Sequence, residues 1–230
     1  AEVVKQNERI QAQLEDIDRQ RKDLELRNDF IKNIFGRYVT DEVMVTLLEN
    51  PEGLRFGGEK RDVSILMSDI RGFTSMSERY TPEKVVTILN HYLGRMVDII
   101  MQFQGTVIEF LGDGILVIFG APKRLENHAS SAVACAISMQ RAMQEINEFN
   151  KNNGFPEMEM GIGVNTGEVI VGNIGSDKRA KYGVVGNSVN LTARLEGLAV
   201  GNQVLISSNT RDSCKCRTNV RSEFEAQFKG

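Results

Sequence analysis

The 230-residue chain carries 28 Lys and Arg against 31 Asp and Glu, a net charge of −3. That balance lacks the basic excess of a groove that tracks a nucleic-acid backbone, so no nucleic-acid partner is expected. No apolar run approaches the roughly 20 residues that span a bilayer and no signal-peptide pattern is legible; three cysteines make no disulfide framework, which points to a reducing, cytoplasmic compartment.

In chain order, Val3, Ile10, Ile17, Leu24 and Ile31 recur every seven residues, one seam of a coiled coil. The companion seam of Asn7, Leu14, Arg21, Asn28 and Phe35 is polar at three of five positions, which costs stability but fixes register and strand number. An amphipathic helix lying on its own domain is the alternative. The lack of Gly and Pro through Lys32, with charges at the other positions, favours a parallel dimerising stalk, and a weak stalk suits a register switch. Because the chain starts on Ala1 in mid-helix, an upstream sensor module is expected, with membrane anchoring there left open. Residues 1–35 are assigned to this signalling stalk, 36–60 to a linker punctuated by Asn50-Pro51-Glu52-Gly53 and Gly57-Gly58, and 61–230 to a globular domain.

Within that domain Asp62–Met67 reads as a strand. Thr81 caps a helix that has Pro82 at its first position and runs to about Phe103. Gly105–Phe110 and Ile115–Phe119 form a hairpin, Asn127 to Asn150 a second long helix, Met158–Asn165 and Glu168–Asn173 two further strands. Ser188 to Leu198 is a third helix, and Val204–Ser207 and Ser222–Phe228 are closing strands. The order predicts an α+β fold, a ferredoxin-like βαββαβ sheet preceded by the coiled-coil helix.

Two carboxylates stand where chemistry is expected. Asp69 ends the first strand and leads through Gly72, Phe73 and Thr74 into a helix, placing a metal ligand beside backbone N–H groups that suit a triphosphate. An Asp in this position also serves as a plain turn residue or cap. Asp113 lies at the hairpin tip, where the bland reading is the Asp-Gly of a type I′ turn. A hairpin pairing beside the first strand would bring the two carboxylates face to face, where they repel unless hard divalent cations sit between them.

Three segments carry a family resemblance. Val63-Ser64-Ile65-Leu66-Met67-Ser68-Asp69-Ile70-Arg71-Gly72-Phe73-Thr74, then Phe110-Leu111-Gly112-Asp113-Gly114 with Phe119-Gly120-Ala121-Pro122, then Gly186-Asn187-Ser188-Val189-Asn190-Leu191-Thr192-Ala193-Arg194-Leu195-Glu196 resemble the ordered signatures of class III nucleotide cyclases. Phe35-Gly36-Arg37-Tyr38-Val39 is similar to the segment that precedes the domain in many bacterial members. The resemblance implies that Asp69 and Asp113 hold two Mg²⁺ or Mn²⁺ ions, with the Ile70 carbonyl as a further ligand. It implies that Asn190 orients a ribose, that Arg194 stabilises charge at the α-phosphate, and that Lys229 contacts the β- and γ-phosphates. In this family the aspartates and the Asn/Arg pair act from different protomers. Both halves occur in this one chain, which implies a symmetric homodimer.

For the base, the resemblance singles out Glu109 and Gly183. Guanylate cyclases usually have Glu at the first position and adenylate cyclases Lys. A carboxylate accepts from guanine's ring N–H and amino group, whereas adenine presents an acceptor on that edge. Glycine at the second position adds no side-chain contact and leaves room for backbone or water. GTP is the expected substrate. The alternatives are an adenylate cyclase acting on ATP, an inactive cyclase-homology dimerisation domain, a diguanylate-cyclase relative, and a coiled-coil adaptor.

Overall fold

The computed structural model describes residues 2–35, 57–176, 178–215 and 219–227. The chain divides into two units, Ala1–Leu48 and Glu49–Gly230. In the first, α1 (Glu2–Phe35) is one continuous helix. Ile10, Leu14, Ile17 and Leu24, members of the two heptad seams, are exposed along it. Ion pairs at i, i+3 or i, i+4, such as Arg21–Glu25 and Lys22–Asp18, line its polar positions. Among the described residues no helix is long and apolar enough to cross a membrane.

The second unit is built on β1 (Gly57–Ile70), α2 (Phe73–Ser77), α3 (Pro82–Gln102), β2 (Thr106–Leu111), β3 (Gly114–Phe119), α4 (His128–Asn152), β4 (Met160–Ser176), β5 (Arg179–Val185), α5 (Asn187–Leu198), β6 (Gln203–Ile206) and α6 (Ser208–Ser213). The strand order is β2-β3-β1-β4-β5, with β6 parallel to β4. The first four strands with α3 and α4 are the expected ferredoxin-like βαββαβ sheet, antiparallel throughout.

The centre of the sheet is apolar on both faces. Leu66 and Ile70 of β1, Val117 and Phe119 of β3 and Met160, Ile162 and Val164 of β4 meet Ile88, Tyr92, Met96 and Ile100 of α3 and Cys135, Ala136, Met139 and Ile146 of α4. The small residues Ala132, Cys135 and Ala136 let α4 approach the strands closely, and burial pushes the Cys135 thiol up to about 12. The intervening residues Val63, Ile65 and Met67 join Leu116, Ile118, Val169 and Val171 in a second cluster on the opposite face. A strand buried on both sides reads as a continuous apolar run, as Val63–Met67 does.

Three local expectations are corrected. The expected strands Met158–Asn165 and Glu168–Asn173 merge into one strand, β4, which begins at Met160, because its glycines are packing positions rather than breaks. Ser222–Gln227 carries no strand; its residues are exposed, and Arg211–Glu223 is an ion pair rather than a sheet contact. Thr81 occupies the N-cap of α3 but its hydroxyl caps no helix N–H. The Asn50-Pro51-Glu52-Gly53 punctuation lies outside the described residues.

His128 is mostly buried at the start of α4, with its side chain 16% exposed. Its Nδ1 lies 2.9 Å from Ser64 Oγ, which lies 2.6 Å from Thr166 Oγ1, and its Nε2 lies 3.9 Å from Asp62. Burial lowers the imidazole pKa, Asp62 opposes this, and Lys215 adds to it. The folded state therefore disfavours the proton that the unfolded chain takes up near pH 6.5. Stability from this site is present above that pH and is lost as pH falls through the lower folded-state value. The thermal midpoint should drop between about pH 7 and 5.5 more steeply in the native chain than in His128→Asn, measured by circular dichroism.

Candidate active site

β1 and β4 pair without a bulge from Gly57↔Asn173 to Ile70↔Met160, so alternate residues of each strand keep one face throughout. On β4 one face carries Met160, Ile162 and Val164 into the helical core, while the other reads Gly161, Gly163, Asn165, Gly167. That glycine-rich face seats α5. A Cβ on Gly163 would stand 2.4 Å from the Glu196 backbone nitrogen, and one on Gly167 2.6 Å from Ser188 Oγ. Asn165 Nδ2 donates to the Ser188 carbonyl at 3.1 Å and Ser188 Oγ donates to the Glu168 carbonyl, which ties down the start of the helix.

Asp69 follows Val63, Ile65 and Met67 on the same face of β1 as α5. The β2–β3 hairpin turns at Gly112-Asp113, between the paired residues Leu111 and Gly114. Gly112 has φ 70, whereas Asp113 is not in the left-handed region, so the turn is not the type I′ considered from sequence. β3 lies beside β1, and Asp113 Oδ2 accepts from the Ile70 N–H at 3.0 Å. The structure thus brings Asp69, Ile70 and Asp113 together. The Asp113 carboxyl is pushed up to about 6, first by burial and then by the negative charge of Asp69, with the Ile70 N–H acting the other way. Gly72, at φ 72, makes the turn into α2 with Phe73 and Thr74 in its first turn.

Two facing carboxylates are donors for a hard cation that neutralises them. Among the described residues no group of three or more His, Cys, Asp or Glu gathers into a cage. The pair fits Mg²⁺-type binding, in which one or two carboxylates share the ion with substrate phosphates.

Asn190 and Arg194 are exposed on one side of α5, opposite Thr192 and Leu195, which are buried against the sheet. Glu109 follows a bulge in β2 and accepts from Lys181 Nζ at 2.7 Å. This ion pair joins β2 to β5, the two outermost strands of the five-strand path. With both side chains about half exposed, it contributes little to stability. Gly183, two residues on, is buried and pairs with Gly172, and a Cβ there would stand 3.3 Å from Ile174 Cδ1. Lys229 lies outside the described residues.

Sequence reasoning missed Lys181, Arg71 and Glu196. Arg71 donates to Asp69 and to both the carbonyl and the carboxylate of Glu196. Burial raises the Glu196 pKa, Arg71 opposes this by hydrogen bond and charge, and Asp69 adds to it. Arg71 and Glu196 lie inside the quoted signatures, but nothing in a linear sequence pairs residues 125 positions apart.

The family model described as the adenylate and guanylate cyclase catalytic domain matches residues 58–230. The crystal structure of the guanylyl cyclase Cya2 is 52% identical with a TM-score of 0.74, covering 76% of this chain and 89% of that one. The crystal structure of the adenylyl cyclase CyaB from P. aeruginosa is 34% identical with a TM-score of 0.66, covering 69% and 82% respectively. Adenylate cyclase 1 of Rhizobium meliloti is 31% identical over 85% of this chain, which spans 30% of that protein's length. The chain belongs to the adenylate and guanylate cyclase catalytic domain family, the class III nucleotide cyclases, and its globular unit has their fold.

The glycine face makes two opposite predictions on one helix seat. Gly163→Ala forces the backbone of α5 outward and should destabilise the unit by about 1–3 kcal/mol. Gly197→Ala, at a position in α5 where a Cβ meets nothing within 4 Å, should stabilise it by about 0.5–1 kcal/mol. Urea midpoints of the two variants decide both.

Proposed function

We propose that this chain is the catalytic part of a nucleotide cyclase that converts GTP to the 3′,5′-cyclic nucleotide and pyrophosphate. The observation that carries the reading is the carboxylate pair Asp69 and Asp113 beside the Gly72 turn, with Asn190 and Arg194 displayed on α5. Mg²⁺ or Mn²⁺ held by the two aspartates, with the Ile70 carbonyl, supplies charge neutralisation for the phosphates and a lowered pKa for the ribose 3′-hydroxyl. Asn190 orients the ribose for in-line attack on the α-phosphate, and Arg194 offsets the charge that develops there. The turn at Gly72, Phe73 and Thr74 presents backbone N–H groups to the triphosphate, and Lys229 is assigned to the distal phosphates.

Asn190 and Arg194 face solvent from one chain, as residues that complete a partner's site would. The reading therefore includes a symmetric homodimer with two sites, joined also through α1 as a coiled-coil stalk under the control of an upstream module. The exposed seam residues Ile10, Leu14, Ile17 and Leu24 support that pairing.

GTP is favoured over ATP on the geometry of Glu109. Lys181 engages one of its carboxylate oxygens, Oε2, which orients the group and leaves acceptor capacity for guanine's adjacent N–H donors. The greater identity to a guanylyl than to an adenylyl cyclase supports the same choice.

Cyclic-nucleotide production from GTP and ATP, with Mg²⁺ and with Mn²⁺, tests this directly. GTP should be preferred, and Glu109→Lys should lower that preference by about tenfold or more. Preference for ATP in the native chain would overturn the base assignment while leaving the enzyme class standing. Asp69→Asn and Arg194→Ala should each lose about a hundredfold or more in kcat. Mixed after co-refolding, they should regain about a quarter of native activity, because random pairing makes half the dimers mixed and each mixed dimer has one intact site. No recovery in mixed dimers would exclude shared sites.

A further inference from the structure

Arg71, two residues past Asp69, reaches in two directions. Its Nη1 donates to Asp69 Oδ2 at 3.3 Å, while Nη2 donates to the Glu196 carbonyl at 2.6 Å and to Glu196 Oε1 at 2.5 Å. The arginine is held at its root by its backbone N–H, which donates to the Glu159 carbonyl at 2.8 Å. Its guanidinium fills the space above Gly161, where a Cβ would stand 2.0 Å from Nη2. The Nε is buried without a hydrogen-bond partner. One planar fork is thus fixed between two carboxylates, with the shorter contacts to Glu196 and the longer one to Asp69.

We propose that Arg71 is a positioning residue that couples cation binding at Asp69 to the seating of α5, the helix that presents Asn190 and Arg194. The inference rests on the cation role of Asp69 proposed above. A divalent cation and a guanidinium compete for the same carboxylate and repel each other. When a cation takes Asp69, the fork is left to Glu196, and the hold on the C-terminal turn of α5 tightens. Coupling is reciprocal, so a firmly seated α5 strengthens cation binding by the same factor. In the proposed dimer α5 completes the partner's site, and the brace then carries occupancy from one site to the other.

Hydrogen exchange of the α5 amides from Leu195 to Ala199, with and without Mn²⁺ and without nucleotide, reads the seating. Electron paramagnetic resonance of Mn²⁺ reads the binding. In the native chain Mn²⁺ should slow exchange in this turn by about fivefold, the low end of site-to-site coupling. Glu196→Gln should still bind Mn²⁺, about fivefold more weakly, and its exchange should not respond to the metal. Arg71→Lys keeps the charge but loses the fork, and should show the same loss of response if Glu196→Gln does not fold. Bound Mn²⁺ that leaves native α5 exchange unchanged, or that slows it equally in both variants, overturns the brace. Mn²⁺ binding that is absent, or equal in the native chain and Asp69→Asn, overturns the cation role of Asp69 and the inference with it.

Discussion

The unbroken antiparallel ladder between β1 and β4 separates two chemistries that the site requires side by side. One face of the ladder is closed by α3 and α4 and contains most of the buried apolar side chains. The other face ends in Asp69 on β1 and in the glycine row on β4, against which α5 lies. Carboxylates on the helical face would be buried among Ile, Met and Phe at a cost of several kcal/mol each. Strand alternation puts Asp69 instead at the rim of the second face, and the hairpin turn brings the partly buried Asp113 beside it. The positions of Asp69, Asn190 and Arg194 follow from this division.

Much of the fold was legible because its signals are local. The βαββαβ order follows from periodicity and from punctuation such as Thr81-Pro82 and the Gly112-Asp113 turn. The splitting of β4 shows where local signals mislead. Gly163, Asn165, Thr166 and Gly167 look like a turn to any rule that treats glycine as punctuation. Here Gly163 is small because the α5 backbone at Glu196 passes against it, and Gly167 because the Ser188 side chain does, neighbours that no local rule can see.

The site was legible in the same uneven way. Asp69, Asp113, Asn190 and Arg194 lie in segments whose family likeness is strong enough to name them. Their supporting residues were not. Lys181 matters to Glu109 only because the sheet brings β5 to β2, and Arg71 meets Glu196 only because α5 folds back over β1 and β4. His128 opens α4, but its contact with Ser64, whose hydroxyl also meets that of Thr166, is made by strands far from it in sequence. Partners of charged and polar side chains are set by tertiary contact, and single-chain patterning carries little of that information.

The alternation along β4 also bears on how this domain can change over evolutionary time. Side chains on a strand change face with every residue, so inserting or deleting one residue between Gly161 and Gly167 would exchange the two faces downstream. For a change next to Gly161, Gly163 and Gly167 would then open voids under α3 and α4, while Ile162 and Val164 would turn toward the space now filled by α5. Point substitutions on the core face can be absorbed by repacking, but a length change here has no local remedy. Length variation among relatives is therefore expected to collect in the connections between elements, with the β4 segment fixed in residue count.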